Sequence, residues 1–93
     1  MSKFMVRVEL HGAGPADYDR LHEAMERSGF SRLIRLLGAL WHLPTAEYQT
    51  EENADLKEVH DRAKVAADSI GLANAILAIE YTNAGWSGLR QVQ

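Results

Sequence analysis

The sequence predicts an α+β sandwich, with two helices packed on one face of a four-stranded antiparallel sheet. Three observations carry that prediction. Residues 3–10 and 73–82 alternate with period two, the signature of half-buried strands. Two segments, Pro15 to Ser28 and Asn53 or Ala54 to Ile70, repeat their apolar residues at helical spacing. Between the helices lies a glycine-centred hairpin pattern.

In the first strand, Phe4, Val6, Val8 and Leu10 point one way and Met5, Arg7 and Glu9 the other. His11-Gly12-Ala13-Gly14 breaks the alternation, and Pro15 suits the first helical turn, where an N–H is not needed. This glycine-bearing stretch is read as a strand-to-helix turn; it lacks the spacing and lysine of a P-loop. Tyr18, Leu21, Ala24 and Met25 form the buried stripe of the first helix. Asp17 and Asp19 complement its dipole, and Gly29 stops it.

Residues 31–37 and 40–49 read as the second and third strands, joined by a Gly38-Ala39 loop with glycine first, as a II′ turn requires. That loop sets a register: Leu37 opposite Leu40, Leu36 opposite Trp41, Arg35 opposite His42 and Ile34 opposite Leu43. Ile34, Leu36, Trp41 and Leu43 then form a core face, with Arg35 and His42 on the other side. Pro44 cannot donate to a ladder, so a bulge is expected there. Asn53 or Thr50 is the expected cap of the second helix. Its stripe is Leu56, Val59, Ala63, Ala66, Ala67 and Ile70, and Gly71 ends it. Leu77, Ile79 and Tyr81 alternate along the fourth strand. Leu89 to Val92 is a short extra strand that either folds on its own domain or pairs with a second copy.

The order βαββαβ with right-handed crossovers gives a ferredoxin-like split-βαβ sandwich in which the strands lie four, one, three, two. Residues 1–93 make a single domain, as their number suits. There is no cysteine, so no disulfide, thiolate nucleophile or cysteine zinc site is available. With no signal-like or membrane-length apolar block, a cytoplasmic location is expected.

Net charge is −3. The predicted strands hold Lys3, Arg7, Arg32 and Arg35 against Glu9, Glu47 and Glu80, and Arg90 lies in the tail. The remaining, mostly helical, segments hold five basic and ten acidic residues. The helical side is therefore acidic and the strands mildly basic, short of the footprint of a general nucleic-acid binder.

The segments Val6 to Gly12, Leu21 to Glu26, Gly29 to Arg32 and His42 to Tyr48 resemble a small bacterial and phage family. That family is associated with the GhoS-type endoribonuclease antitoxins of type V toxin–antitoxin systems. The resemblance covers most of the chain. It implies a ferredoxin-like fold similar to the small CRISPR adaptation nuclease, and an activity on RNA, the antitoxins being described as cutting a toxin messenger. Where the CRISPR subunit has an aspartate at the end of its first strand, this chain reads Glu9-Leu10-His11. No catalytic motif carries over from the antitoxins to named positions.

Arg7, Arg35 and His42 are the candidate RNA contacts, expected together on the open sheet face. Two guanidinium groups can clamp a phosphate, and His42 can move a proton near neutral pH. The competing reading is a solvated face in which Arg7 pairs with Glu9 or Glu80, or a dimer interface. His11, His22, His42 and His60 lack metal-ligand spacing, so no metal or other cofactor is expected. Trp41 is expected in the core rather than in a base-stacking platform. Partners follow from three readings: single-stranded RNA for a GhoS-like protein, a host protein for a non-enzymatic interaction module, and a small molecule for an ACT-like regulatory domain. In each, a homodimer can form through a sheet edge or the tail.

Overall fold

A computed structural model describes residues 1–93. Its elements are β1 (Ser2–Leu10), α1 (Pro15–Arg27), β2 (Leu33–Leu36), β3 (Ala39–His42), β4 (Glu47–Glu52), α2 (Leu56–Asp68) and β5 (Asn74–Tyr81). The expected four-stranded sheet does not form. β4, β1 and β5 make an antiparallel three-stranded sheet with β1 central, and β2 and β3 make a separate hairpin.

The alternation in β1 fixes the core. Phe4, Val6, Val8 and Leu10 are buried beneath α1 and α2, and they pack with Leu21, Met25, Phe30, Tyr48, Val59 and the small residues Ala63, Ala66 and Ala67. Alanines on α2 let its backbone approach the sheet closely. Asp55 caps α2, accepting from Glu58 N at 2.8 Å. Asn53 and Thr50, the expected caps, lie before that turn. Leu56, placed at the first turn, stays 39% exposed rather than joining the stripe.

The break between β3 and β4 is larger than a bulge. Pro44 has no N–H to give, and Ala46 adopts φ +65° while buried. Glu47 N closes a turn on Pro44 O at 3.1 Å. The chain therefore leaves the hairpin in one direction and enters β4 in another. The segment expected as one strand over 40–49 is two strands in two sheets. Of the expected second strand, Ser31 alone meets the main sheet, through paired bonds with Gln49 at 2.8 Å each.

The hairpin register also differs from expectation. Leu36 pairs with Ala39, Arg35 with Leu40, Ile34 with Trp41 and Leu33 with His42. The loop is Leu37-Gly38, with φ +50° and +79°, the two positive values of a type I′ turn. That turn suits strand twist and puts glycine second, whereas a II′ turn would put it first. Each pair shifts by an even number of positions in total, so side-chain parity survives: Ile34, Leu36 and Trp41 still share one face, and Arg35 and His42 the other. Their apolar face does not join the helix-side core. It covers the opposite face of the sheet, near Met5 and Glu47. Trp41 is half-buried against Trp86, with ring centroids 4.5 Å apart.

The tail folds back on its own hairpin. His42 N donates to Arg90 O at 2.8 Å, and Val92 N to Leu40 O at 2.9 Å.

One polar pair sits inside the core. His22 Nδ1 lies 2.6 Å from the Tyr48 hydroxyl, and both side chains are buried. Burial pushes the Tyr48 phenol up, so it stays protonated and able to donate. Burial pushes the His22 imidazole down, with the Arg32 charge adding to the shift. A base whose folded pKa lies below its unfolded value is stabilised neutral. Its contribution is present above the unfolded pKa of about 6.5 and is lost as pH falls through the folded one.

Two stability outcomes follow. Leu37→Asn relieves a left-handed leucine that is 93% exposed, and should stabilise the domain by about 1 kcal/mol in urea unfolding. Tyr48→Phe leaves His22 Nδ1 without a partner and should cost about 1–3 kcal/mol. Wild-type stability should decline as pH falls below about 6.5, and His22→Gln should flatten that slope.

Candidate RNA interface

Ten lysines and arginines divide evenly by location. Arg20, Arg27, Lys57, Arg62 and Lys64, on the helices, each have a carboxylate within 4.0 Å. The strongest of these pairs is two-pronged: Arg62 grips both oxygens of Glu52, whose Oε1 is 2.9 Å from Nη1, and lies over the Phe30 ring. That grip holds the Glu52 carboxyl below its ordinary pKa. Lys3, Arg7, Arg32, Arg35 and Arg90 have no carboxylate partner at that distance, and all lie on the strands, the hairpin or the tail. The chain is acidic overall, yet its uncompensated cations fall outside the helices.

The structure does not bring Arg7, Arg35 and His42 together. Arg7 is exposed on the outer face of β1, opposite Glu47 on β4 and Leu77 on β5. It forms no ion pair with Glu9 or Glu80. Arg35 and His42 share a hairpin face but are not paired across it, and they line different grooves. His42 faces a groove of about 440 Å³ with Arg32, Glu26 and Ser31, between the end of α1 and the hairpin. The expectation of one shared sheet face fails because the hairpin has left the sheet.

Arg35 instead meets residues the sequence reading passed over. It lines a groove of about 330 Å³ with Lys3, Gln49, Glu51 and Tyr81, between the hairpin and the outer face of the main sheet. The sheet register explains the grouping. Lys3 on β1 sits directly between Glu51 on β4 and Tyr81 on β5, so all three side chains leave the same face. Gln49 is two residues from Glu51 and joins them. The hairpin then brings Arg35 alongside this row, at its edge. Tyr81 is half-buried, and its burial pushes the phenol up, with Gln49 pulling the other way. The groove thus offers two cations, an aromatic ring, an amide with both donor and acceptor, and one opposing carboxylate. The signal was present in the sequence as the alternation Lys3, Met5, Arg7 and Leu77, Ile79, Tyr81. What was missing was the register that sets Lys3 beside Tyr81.

Other polar contacts offer less. Glu9 Oε1 and His11 Nε2 lie 3.2 Å apart at the exposed end of β1. His60 touches only Asp61. Nowhere do three histidine or carboxylate side chains converge. His22 and Tyr48 are sealed from any substrate. No helix is long and apolar enough to cross a membrane. Comparison with protein-family models, with curated proteins and with solved structures found no match to this chain.

Proposed function

We propose that this chain is a GhoS-like, cytoplasmic RNA-binding protein that takes single-stranded RNA in the groove between its hairpin and sheet. The observation that carries the reading is the meeting of Lys3, Arg35 and Tyr81 in one groove, with no carboxylate held to either cation. Lys3 and Arg35 neutralise consecutive phosphates, and Tyr81 supplies a ring face for a base. Gln49 can read a base edge with its amide. Arg32 and His42 line a second groove on the far side of the hairpin, beside Glu26, where an extended strand can continue.

The fold is consistent with that reading. Its β4-β1-β5 order with two helices on one face supports the reading, since a ferredoxin-like sheet would add a fourth strand beside β4, where Ser31 bridges to Gln49. Endonuclease activity, as in the antitoxins, is the further expectation, with His42 as its proton-transfer candidate.

One observation favours a different role, as a protein-interaction module. Leu77 and Ile79 are 63% and 46% exposed on the outer face of β5, whose far edge has no partner strand.

Labelled single-stranded RNA incubated with the protein at low salt, with and without magnesium, tests the proposal. Saturable binding is expected, weakening steeply as salt rises. Lys3→Ala and Arg35→Ala should each weaken binding about three- to tenfold and lower the salt slope by about one. Glu51→Gln should tighten it. Neither binding nor cleavage under these conditions sinks the RNA reading. Loss of host-protein capture on Leu77→Ser/Ile79→Ser, with RNA binding absent, would move the assignment to the interaction module.

A further inference from the structure

A further cavity, of about 440 Å³, lies between the hairpin and the outer sheet face, open to solvent on one side and bordered by the tail. Met5 of β1 is its floor, Ile34 and Leu36 of the hairpin form one wall, and Trp86 and Leu89 of the tail form another. The tail wall is built rather than draped. Backbone bonds from His42 to Arg90 and from Val92 to Leu40 tie it to β3, and Trp86 packs on Trp41. Only one ionisable residue lines this space, Glu47. Its side chain is half-buried and makes no hydrogen bond or ion pair. Arg7, directly across the ladder, does not reach it.

We infer that this cavity binds a small organic cation, an ammonium group carried on a short aryl or alkyl body. The size and apolar lining suit a small molecule held by a few placed polar groups. The body displaces water from Met5, Ile34, Leu36 and Leu89. The ammonium pairs with Glu47 and meets the Trp86 ring, whose face attracts cations. Charge selects the class. A neutral ligand of the same shape would give the carboxylate at most a hydrogen bond in place of an ion pair, and an anionic one would be repelled by it. The site lies in one protomer and does not depend on the RNA reading.

Both tryptophans of the chain stand at the tail wall, so their emission reports on the cavity. The protein is titrated with 2-phenylethylamine, 2-phenylethanol and 3-phenylpropionate. A saturable change is expected with the amine, roughly tenfold weaker affinity for the alcohol, and none for the acid. Glu47→Gln should weaken the amine roughly tenfold and leave the alcohol unchanged, at an unaltered melting temperature. Lys3→Ala and Arg35→Ala should leave amine binding intact, which separates this cavity from the RNA groove. No saturation by the amine, equal affinity for all three probes, or full amine binding by a folded Glu47→Gln variant would overturn the inference. The wild-type probe series decides alone where that variant does not fold.

Discussion

The corner at Pro44–Ala46 sets the rest of the molecule. A proline without an N–H and an alanine at φ +65° end one ladder and start another. Glu47 N turns back on Pro44 O, and Val8 N donates to Ala46 O at 3.0 Å, so β4 enters the main sheet beside β1. The hairpin cannot follow. It crosses the outer sheet face, with the apolar cavity beneath it and the cationic groove along its edge. Were the chain straight through residues 40–49, Arg35 would lie in the plane of the sheet, away from Tyr81, and Glu47 would have no apolar roof.

On the opposite face the physics is more familiar. β1 buries four alternating side chains beneath two helices, and close packing there leaves room for alanine but for little else on α2. The polar pair His22–Tyr48 survives because each partner satisfies the other. The same burial makes it a liability in acid, since the imidazole cannot charge without losing its place.

Charge is partitioned by element. Helical cations pair with carboxylates three or four residues away on their own helix, except Arg62, whose clamp on Glu52 ties α2 to β4. Strand, hairpin and tail cations are left without such partners. Strand neighbours lie across the ladder rather than along the chain, so their pairing depends on register. Here the register sets Lys3 beside Glu51, and Arg7 beside Glu47, without closing either pair.

Much of this was legible in the chain itself. The alternation of Phe4 to Leu10, the stripes of both helices, the glycine stops at 29 and 71, and the segregation of Ile34, Leu36 and Trp41 from Arg35 and His42 are local periodicities. Local geometry fixes them whatever the remainder of the fold does. Pro44 marked the position of the break, but not its size, because a bulge and a corner share the same missing donor. The hairpin register turned on whether Gly38 comes first or second in the loop; both primed turns suit the strand twist, and the chain takes the one with Leu37 left-handed before the glycine. Which face of the sheet the hairpin covers, and hence which residues meet Arg35 and Glu47, is a long-range outcome. It follows from how β4 docks on β1, and no spacing within the sequence encodes it.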